Sequence, residues 1–301
     1  MAVLTVILGR DAALVKPSRR RAEGREEPVV LPRVARFVLR SRLRRPRGAG
    51  LHADGAAELI DLHFHALPGV DDGPAGWDDA LALCRAAAAE GTETVVATPH
   101  VLRDPWMNED PAARAALLAE LNARLGGSPR VLSGSEVWFG DDLVELLEMG
   151  AAGPLTTLAG SRALLVEFPP GWVSPQAAAV FHELRVMGVV PVVAHPERNL
   201  VFAQEPERLA ALVERGAVAQ VTAASFLGEA GRGALAAAET LMKLGLVHVV
   251  ASDAHSMLAR PPRMAAARER VRKVWGAEAE EGLFVANPRA LLAGEELPWA
   301  G

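Results

Sequence analysis

From Leu59 onward the sequence alternates short, β-branched apolar runs with longer runs rich in Ala and Leu. The short runs predict strands over 59–63, 93–98, 130–135, 163–167, 189–194, 217–222 and 246–251. The longer runs predict helices over 77–90, 111–125, 140–149, 174–187, 206–215, 230–244 and 261–274, with a short last one over 287–293. Seven β-then-α units in series leave few folds open. A strand that is followed by a helix returns parallel to its predecessor, so the sheet is expected to be parallel. Closed on itself, it is a barrel one unit short of the common eightfold form. An open doubly wound sheet fits the same pattern.

Residues 1–58 break this rhythm. They carry 13 Lys/Arg against 6 Asp/Glu, whereas residues 59–301 carry 19 against 31. Arg19–Arg21 and Arg42–Arg47 are basic runs, and Gly48, Gly50 and Gly55 punctuate the join. The opening apolar stretch is short and precedes the basic residues, the reverse of a signal peptide. Two domains are therefore expected: a basic, disordered extension or mis-assigned start over 1–58, and an acidic catalytic domain over 59–301. An acidic body argues against a nucleic-acid partner. The single cysteine, Cys84, rules out an internal disulfide framework and fits a cytoplasmic setting. No uncharged apolar run is long enough for a transmembrane segment.

The chemistry gathers where the predicted strands end. His63 and His65 end the first strand, and their i, i+2 spacing projects them to one side. Thr98–Pro99–His100 ends the second, Glu136 follows the third, and His195 follows the fifth. Asp253 and His255 end the seventh as another i, i+2 pair. Five of the eight histidines thus stand at strand C-termini, where parallel barrels build their sites. Imidazoles mixed with carboxylates suit Zn, Mn or Fe better than Mg or Ca. The set exceeds what one tetrahedral ion uses, so two or three ions are expected. Asp71 and Asp72 lie in the Gly/Pro-rich loop after His65; turn duty is the main reading of Asp71 and a competing one for Asp72. Cys84 sits in an Ala-rich helix without a phosphate-loop arginine and reads as core. No nucleophile elbow, P-loop or dinucleotide fingerprint is present.

The segments IDLHFHALPGVDDGP, VVATPH, GSEVWF, ALLVEFP, PVVAHPERN, VVASDAHS, RPPRM and NPRALL occur in order across about 59–295. Together they resemble the polymerase-and-histidinol-phosphatase (PHP) superfamily. More narrowly, they resemble the bacterial PHP-type protein-tyrosine phosphatases of capsule and exopolysaccharide loci, the CpsB/YwqE-like enzymes. That resemblance implies a distorted (β/α)7 TIM-like barrel, the PHP fold, with a trinuclear centre of divalent metal ions. Manganese is the first expectation, iron or zinc the alternatives. Carried over, His63, His65, Glu136 and Asp253 would hold one ion. Glu136 would bridge to a second, also bound by His195, and Asp72, His100 and His255 would hold the third. Arg198 and Arg260 would bind substrate phosphate, and Asp72 is a candidate proton donor.

The implied reaction is hydrolysis of phosphotyrosine by water that the metal cluster activates, without a phosphocysteine intermediate. The implied partner is a phosphotyrosine-bearing protein, a cognate bacterial tyrosine kinase; a homo-oligomer is admitted. A small-molecule phosphoesterase of the histidinol-phosphate phosphatase kind would share every ligand. Two departures touch substrate contact. Val101 stands where family members often carry His or Arg, with Arg103 as a possible substitute, and the strand ending Gln220–Val221–Thr222 has Thr in place of Asn.

Overall fold

The structure is a computed structural model and describes residues 59–299. The expected extension over 1–58 lies outside the described residues. Nine strands form: β1 (Leu59–Phe64), β2 (Thr92–Ala97), β3 (His100–Val101), β4 (Arg130–Ser133), β5 (Glu136–Trp138), β6 (Ala163–Glu167), β7 (Val190–Ala194), β8 (Val218–Thr222) and β9 (Val249–Ala251). All pairings are parallel. They make two sheets, β1-β2-β4 and β3-β5-β6-β7-β8-β9.

Seven of the nine lie at the seven expected strands, and β3 and β5 are further short strands beyond the expected ends at 98 and 135. Pro99, which has no N–H to give a ladder, separates β2 from β3. Gly134 separates β4 from β5, and a Cβ there would meet Val96 Cγ1 at 2.8 Å and the Ala97 carbonyl at 3.2 Å. Both strands therefore kink just before delivering His100 and Glu136, which then pair in register. Between β1 and the segment after β9, Asp253 N–H donates to the His63 carbonyl and His65 N–H to the Ala254 carbonyl, each at 2.9 Å.

The strands bury both faces, as parallel strands under helices must. On one side Ile60, Leu62, Val96, Leu165, Val192, Val218 and Val249 pack together, joined by Leu158 and by Leu291 of the last helix, Asn287–Ala293. On the other, Leu164, Val166, Val193, Val221 and Val250 meet helix side chains such as Phe181, Leu209 and Leu241. The helix Pro111–Leu125 shows the local logic. Asp110 caps it by accepting from Ala112 and Ala113 N–H, Pro111 starts it, and Gly126 ends it at φ 69°. Seven short helical segments escape the periodicity, at Gly150–Ala152, Leu158–Gly160, Pro196–Arg198, Leu200–Gln204, Ala223–Phe226, Ala277–Glu281 and Gly282–Ala286. Each is too short to show a period of 3.6.

Candidate metal centre

The C-terminal ends of the strands converge on one buried cluster. His63 Nε2 lies 3.3 Å from Glu136 Oε2 and 3.2 Å from Asp253 Oδ1. His65 Nε2 lies 3.4 Å from the same Glu136 oxygen and 3.6 Å from the same Asp253 oxygen. His100 Nδ1 is 2.9 Å from Glu136 Oε2, and His195 Nε2 is 3.0 Å from Glu136 Oε1. Asp72 Oδ1 lies 3.3 Å from His100 Nε2 and 3.1 Å from His255 Nε2. All eight expected ligands are thus brought together. Two take backbone conformations that L-residues rarely adopt, with φ 30° at His195 and 54° at Asp253.

Three histidines have their outward nitrogen already engaged. His65 Nδ1 donates to Asp71 Oδ2 at 2.8 Å, His63 Nδ1 to Gln220 Oε1 at 2.9 Å, and His255 Nδ1 to the Asp253 carbonyl at 2.9 Å. A proton on Nδ1 leaves Nε2 as a lone pair. Those three lone pairs face carboxylate oxygens, an arrangement that repels unless positive charge lies between. Among the described residues Glu136 Oε2, Asp253 Oδ1 and His255 Nε2 are buried without a hydrogen-bond partner. Metal-binding histidines characteristically have this outer-nitrogen arrangement.

The donor set fits divalent ions. Bonds of about 2.0–2.2 Å place neighbouring ligand atoms about 3.0 Å apart in an octahedron and about 3.4 Å apart in a tetrahedron. Four groups of three or four donors lie within 4.8 Å of one another: His65–Asp72–His100–His255, His63–His195–Asp253, His63–His65–Glu136 and His100–Glu136–Glu167. The first keeps the expected Asp72–His100–His255 set and adds His65. The second draws His195 towards Asp253. The fourth contains Glu167, which no reading of the sequence had assigned. It ends β6, and its Oε2 is also buried without a hydrogen-bond partner.

Electrostatics carry the same message. Burial favours neutral His63, yet the charges of Glu136 and Asp253 overcome it and raise its pKa to about 9. Burial and then the Glu136 charge push Glu167 up to about 8. Burial and then the His65 charge lower His255 to about 4, leaving it neutral and ready to ligate. The pocket demands positive charge, and divalent ions supply it without protonating the ligands.

Three arginines border the cluster. Arg198 Nη1 donates to Asp253 Oδ2 at 2.5 Å, and Arg260 donates to the same oxygen and lies 3.6 Å from Asp72 Oδ2. Arg103 Nη1 lies 3.3 Å from Glu167 Oε2 and contacts the His100 ring. Val101 is fully buried in β3, and Arg103, two residues on, reaches the site.

The capsular polysaccharide synthesis family CpsB/CapC matches residues 59–293. The chain belongs to the CpsB/CapC family. The tyrosine-protein phosphatase YwqE of Bacillus subtilis is 37% identical over 205 residues, 67% of this chain and 79% of that protein. The tyrosine-protein phosphatase CpsB of Streptococcus pneumoniae is 30% identical over 243 residues, 78% of this chain and 98% of that protein. Crystal structures of YwqE and CpsB, described as metal-dependent tyrosine phosphatases, include one that superposes with a TM-score of 0.75 at 34% identity, covering 79% of this chain and 96% of that one. A lactonase from Listeria monocytogenes, 12% identical over 80% of this chain and 96% of its own with a TM-score of 0.51, shares the fold alone. For this CpsB/CapC member, no helix among the described residues is long and apolar enough to cross a membrane.

Proposed function

We propose that this chain is a metal-dependent protein-tyrosine phosphatase acting on a phosphotyrosine-bearing protein, a bacterial tyrosine kinase of a capsule or exopolysaccharide system, in the cytoplasm. The observation that carries the metal reading is the set of histidines with Nδ1 engaged and Nε2 turned on carboxylates. The named relatives carry the substrate class. We also read the seven strand units as a distorted (β/α)7 barrel, closed through the His63 and Ala254 carbonyl hydrogen bonds, with 59–301 as one catalytic domain distinct from 1–58.

His63, His65, Asp72, His100, Glu136, His195, Asp253 and His255, with Glu167, would hold the ions, three in number and manganese by preference over iron or zinc. Bound divalent ions supply Lewis acidity, acidifying water and neutralising charge that develops on phosphoryl oxygens. The chain does the rest. Arg198 and Arg260, both turned inward by Asp253, present guanidinium donors to a phosphoryl group. Against burial, hydrogen bonds from His100 and His255 hold Asp72 well below the usual carboxylate range, which suits a ligand more than a proton donor. A phenolate leaves readily, so no strong acid is required. Cys84 is no nucleophile, since burial pushes its thiol up to about 12.

The test compares initial rates on a phosphotyrosyl peptide, histidinol phosphate and a nucleotide after chelation and reconstitution with Mn, Fe or Zn. Activity is expected to vanish on chelation, to return best with Mn and to favour the peptide. Cys84→Ala should turn over like the parent. Full activity in protein shown by elemental analysis to be metal-free would sink the metal reading, and a preference for histidinol phosphate would sink the substrate.

A further inference from the structure

Beside the cluster stands a structure that the metal chemistry does not use. Trp106 stacks on the His100 ring, with centroids 5.5 Å apart and planes 16° from parallel. Trp138 lies two residues beyond Glu136 on β5, so the two side chains project to the same side. The Arg103 guanidinium lies 5.4 Å from the Trp106 ring centre and 5.1 Å from that of Trp138. Both indoles are only partly buried, although they lie beside the buried His100 and Glu136.

The segment that carries Trp106 is pinned, and Trp138 is held in β5. Leu102 N–H donates to the Met107 carbonyl at 2.9 Å, and Arg103 and Trp106 face each other across the hairpin. Asn108 Nδ2 ties its base to the His100 carbonyl at 2.8 Å and the Val70 carbonyl at 2.9 Å. The loop thus fixes the half-buried Trp106 indole beside the candidate ligand His100.

We propose that Trp106 and Trp138, joined by Arg103, form a wall that selects an aryl over an alkyl phosphomonoester by receiving the substrate's ring. The inference rests on the phosphatase reading and adds the residues that set its specificity. Flat π surfaces and a planar guanidinium gain from a stacked or edge-on ring beyond what area burial gives, and an alkyl chain receives only the area. Each indole is worth several-fold to about tenfold in that preference.

The experiment measures binding of phenylphosphonate and methylphosphonate to the Mn-loaded full chain by calorimetry. Neither probe has a leaving group, so affinity for the ring is read without chemistry. The parent is expected to favour phenylphosphonate at least about tenfold, the product of two several-fold contributions. Trp138→Leu and Trp106→Leu, which keep apolar bulk, should each cut that ratio several-fold, and Trp138→Phe and Trp106→Phe should restore most of it. A parent ratio near one overturns the wall. So does an unchanged ratio in both Leu variants, or equal behaviour of Leu and Phe. Turnover of phosphotyrosyl peptide by the parent is measured alongside: if it persists while the ratio fails, the wall falls and the phosphatase reading stands, and its absence condemns that reading instead.

Discussion

Asp71 was read from the sequence as a turn residue, and it does make that turn. Its Oδ1 accepts Gly73 N–H at 2.9 Å. Its Oδ2, however, accepts from His65 Nδ1 at 2.8 Å and from His100 N–H at 3.1 Å, so one carboxylate orients two ligand residues. Gly73 permits the approach, because a Cβ there would meet Asp71 Oδ1 at 2.8 Å and His65 Cβ at 3.0 Å. Asp71→Asn keeps the shape but loses the charge that holds the His65 proton on Nδ1. It is expected to lower metal affinity or kcat/KM by about 10–100-fold, measured by metal competition and steady-state kinetics on a variant with parental circular dichroism. Parental values would reduce Asp71 to a turn. Seven of the eight expected ligand residues could be placed together from the sequence because strand C-termini in a parallel fold converge whatever the loops do, whereas Asp72, in the loop after His65, was singled out only by the family resemblance. Glu167 had the same position and was passed over, since a lone Glu before Phe168–Pro169–Pro170 has no i+2 partner to single it out. The roles of Asp71, Gln220 and Arg103 depend on loop shape and cross-strand register, which local patterning does not encode.

The strand periodicity was legible for the same reason: buried parallel strands are continuous apolar runs, and each appeared close to its expected place. The kinks were not. Gly134 sits inside a run that reads as one strand and Pro99 just past the end of another, and neither announces the short strand that follows; the break at Pro99 comes from its missing N–H, that at Gly134 from contacts with other elements. At Gly134 the limit is space rather than dihedral freedom. Val96 Cγ1, the Ala97 carbonyl and Leu158 Cδ2 all lie within 3.2 Å of where a Cβ would be. Because β2 carries Val96 and Ala97 while β5 begins at Glu136, any relief must move strands that deliver ligands. Gly134→Ala is therefore expected to cost about 1–3 kcal/mol, as overpacking does, and to depress kcat/KM. Urea unfolding of the metal-loaded protein checks the first and kinetics the second. A variant with parental stability would show that the strands can part without penalty.

At the scale of the whole molecule, the ends of the strands do different work. The C-terminal ends concentrate charge. At the opposite end, His248 leads into β9. His248 is buried, and its Nδ1 accepts from the Ala219 N–H at 3.1 Å. That nitrogen cannot take a proton without turning an acceptor into a donor that faces a donor. Burial accordingly lowers its pKa from 6.5 to about 4. A histidine that is neutral in the folded chain and titrates freely in the unfolded one has a defined linkage. Above pH about 6.5 neither state binds the proton, and stability is intact. As pH falls towards about 4 only the unfolded state is protonated, and stability is lost by about 3 kcal/mol in all. The cluster histidines and metal release also respond to acid, so the quantity to measure is a difference. His248→Asn keeps an acceptor for Ala219 N–H but cannot be protonated. Urea midpoints of parent and His248→Asn should run parallel above pH about 6.5 and diverge below it, the parent losing stability faster down to pH about 4. Parallel curves throughout would mean that His248 protonates without cost, and that the Ala219 hydrogen bond does not govern its state.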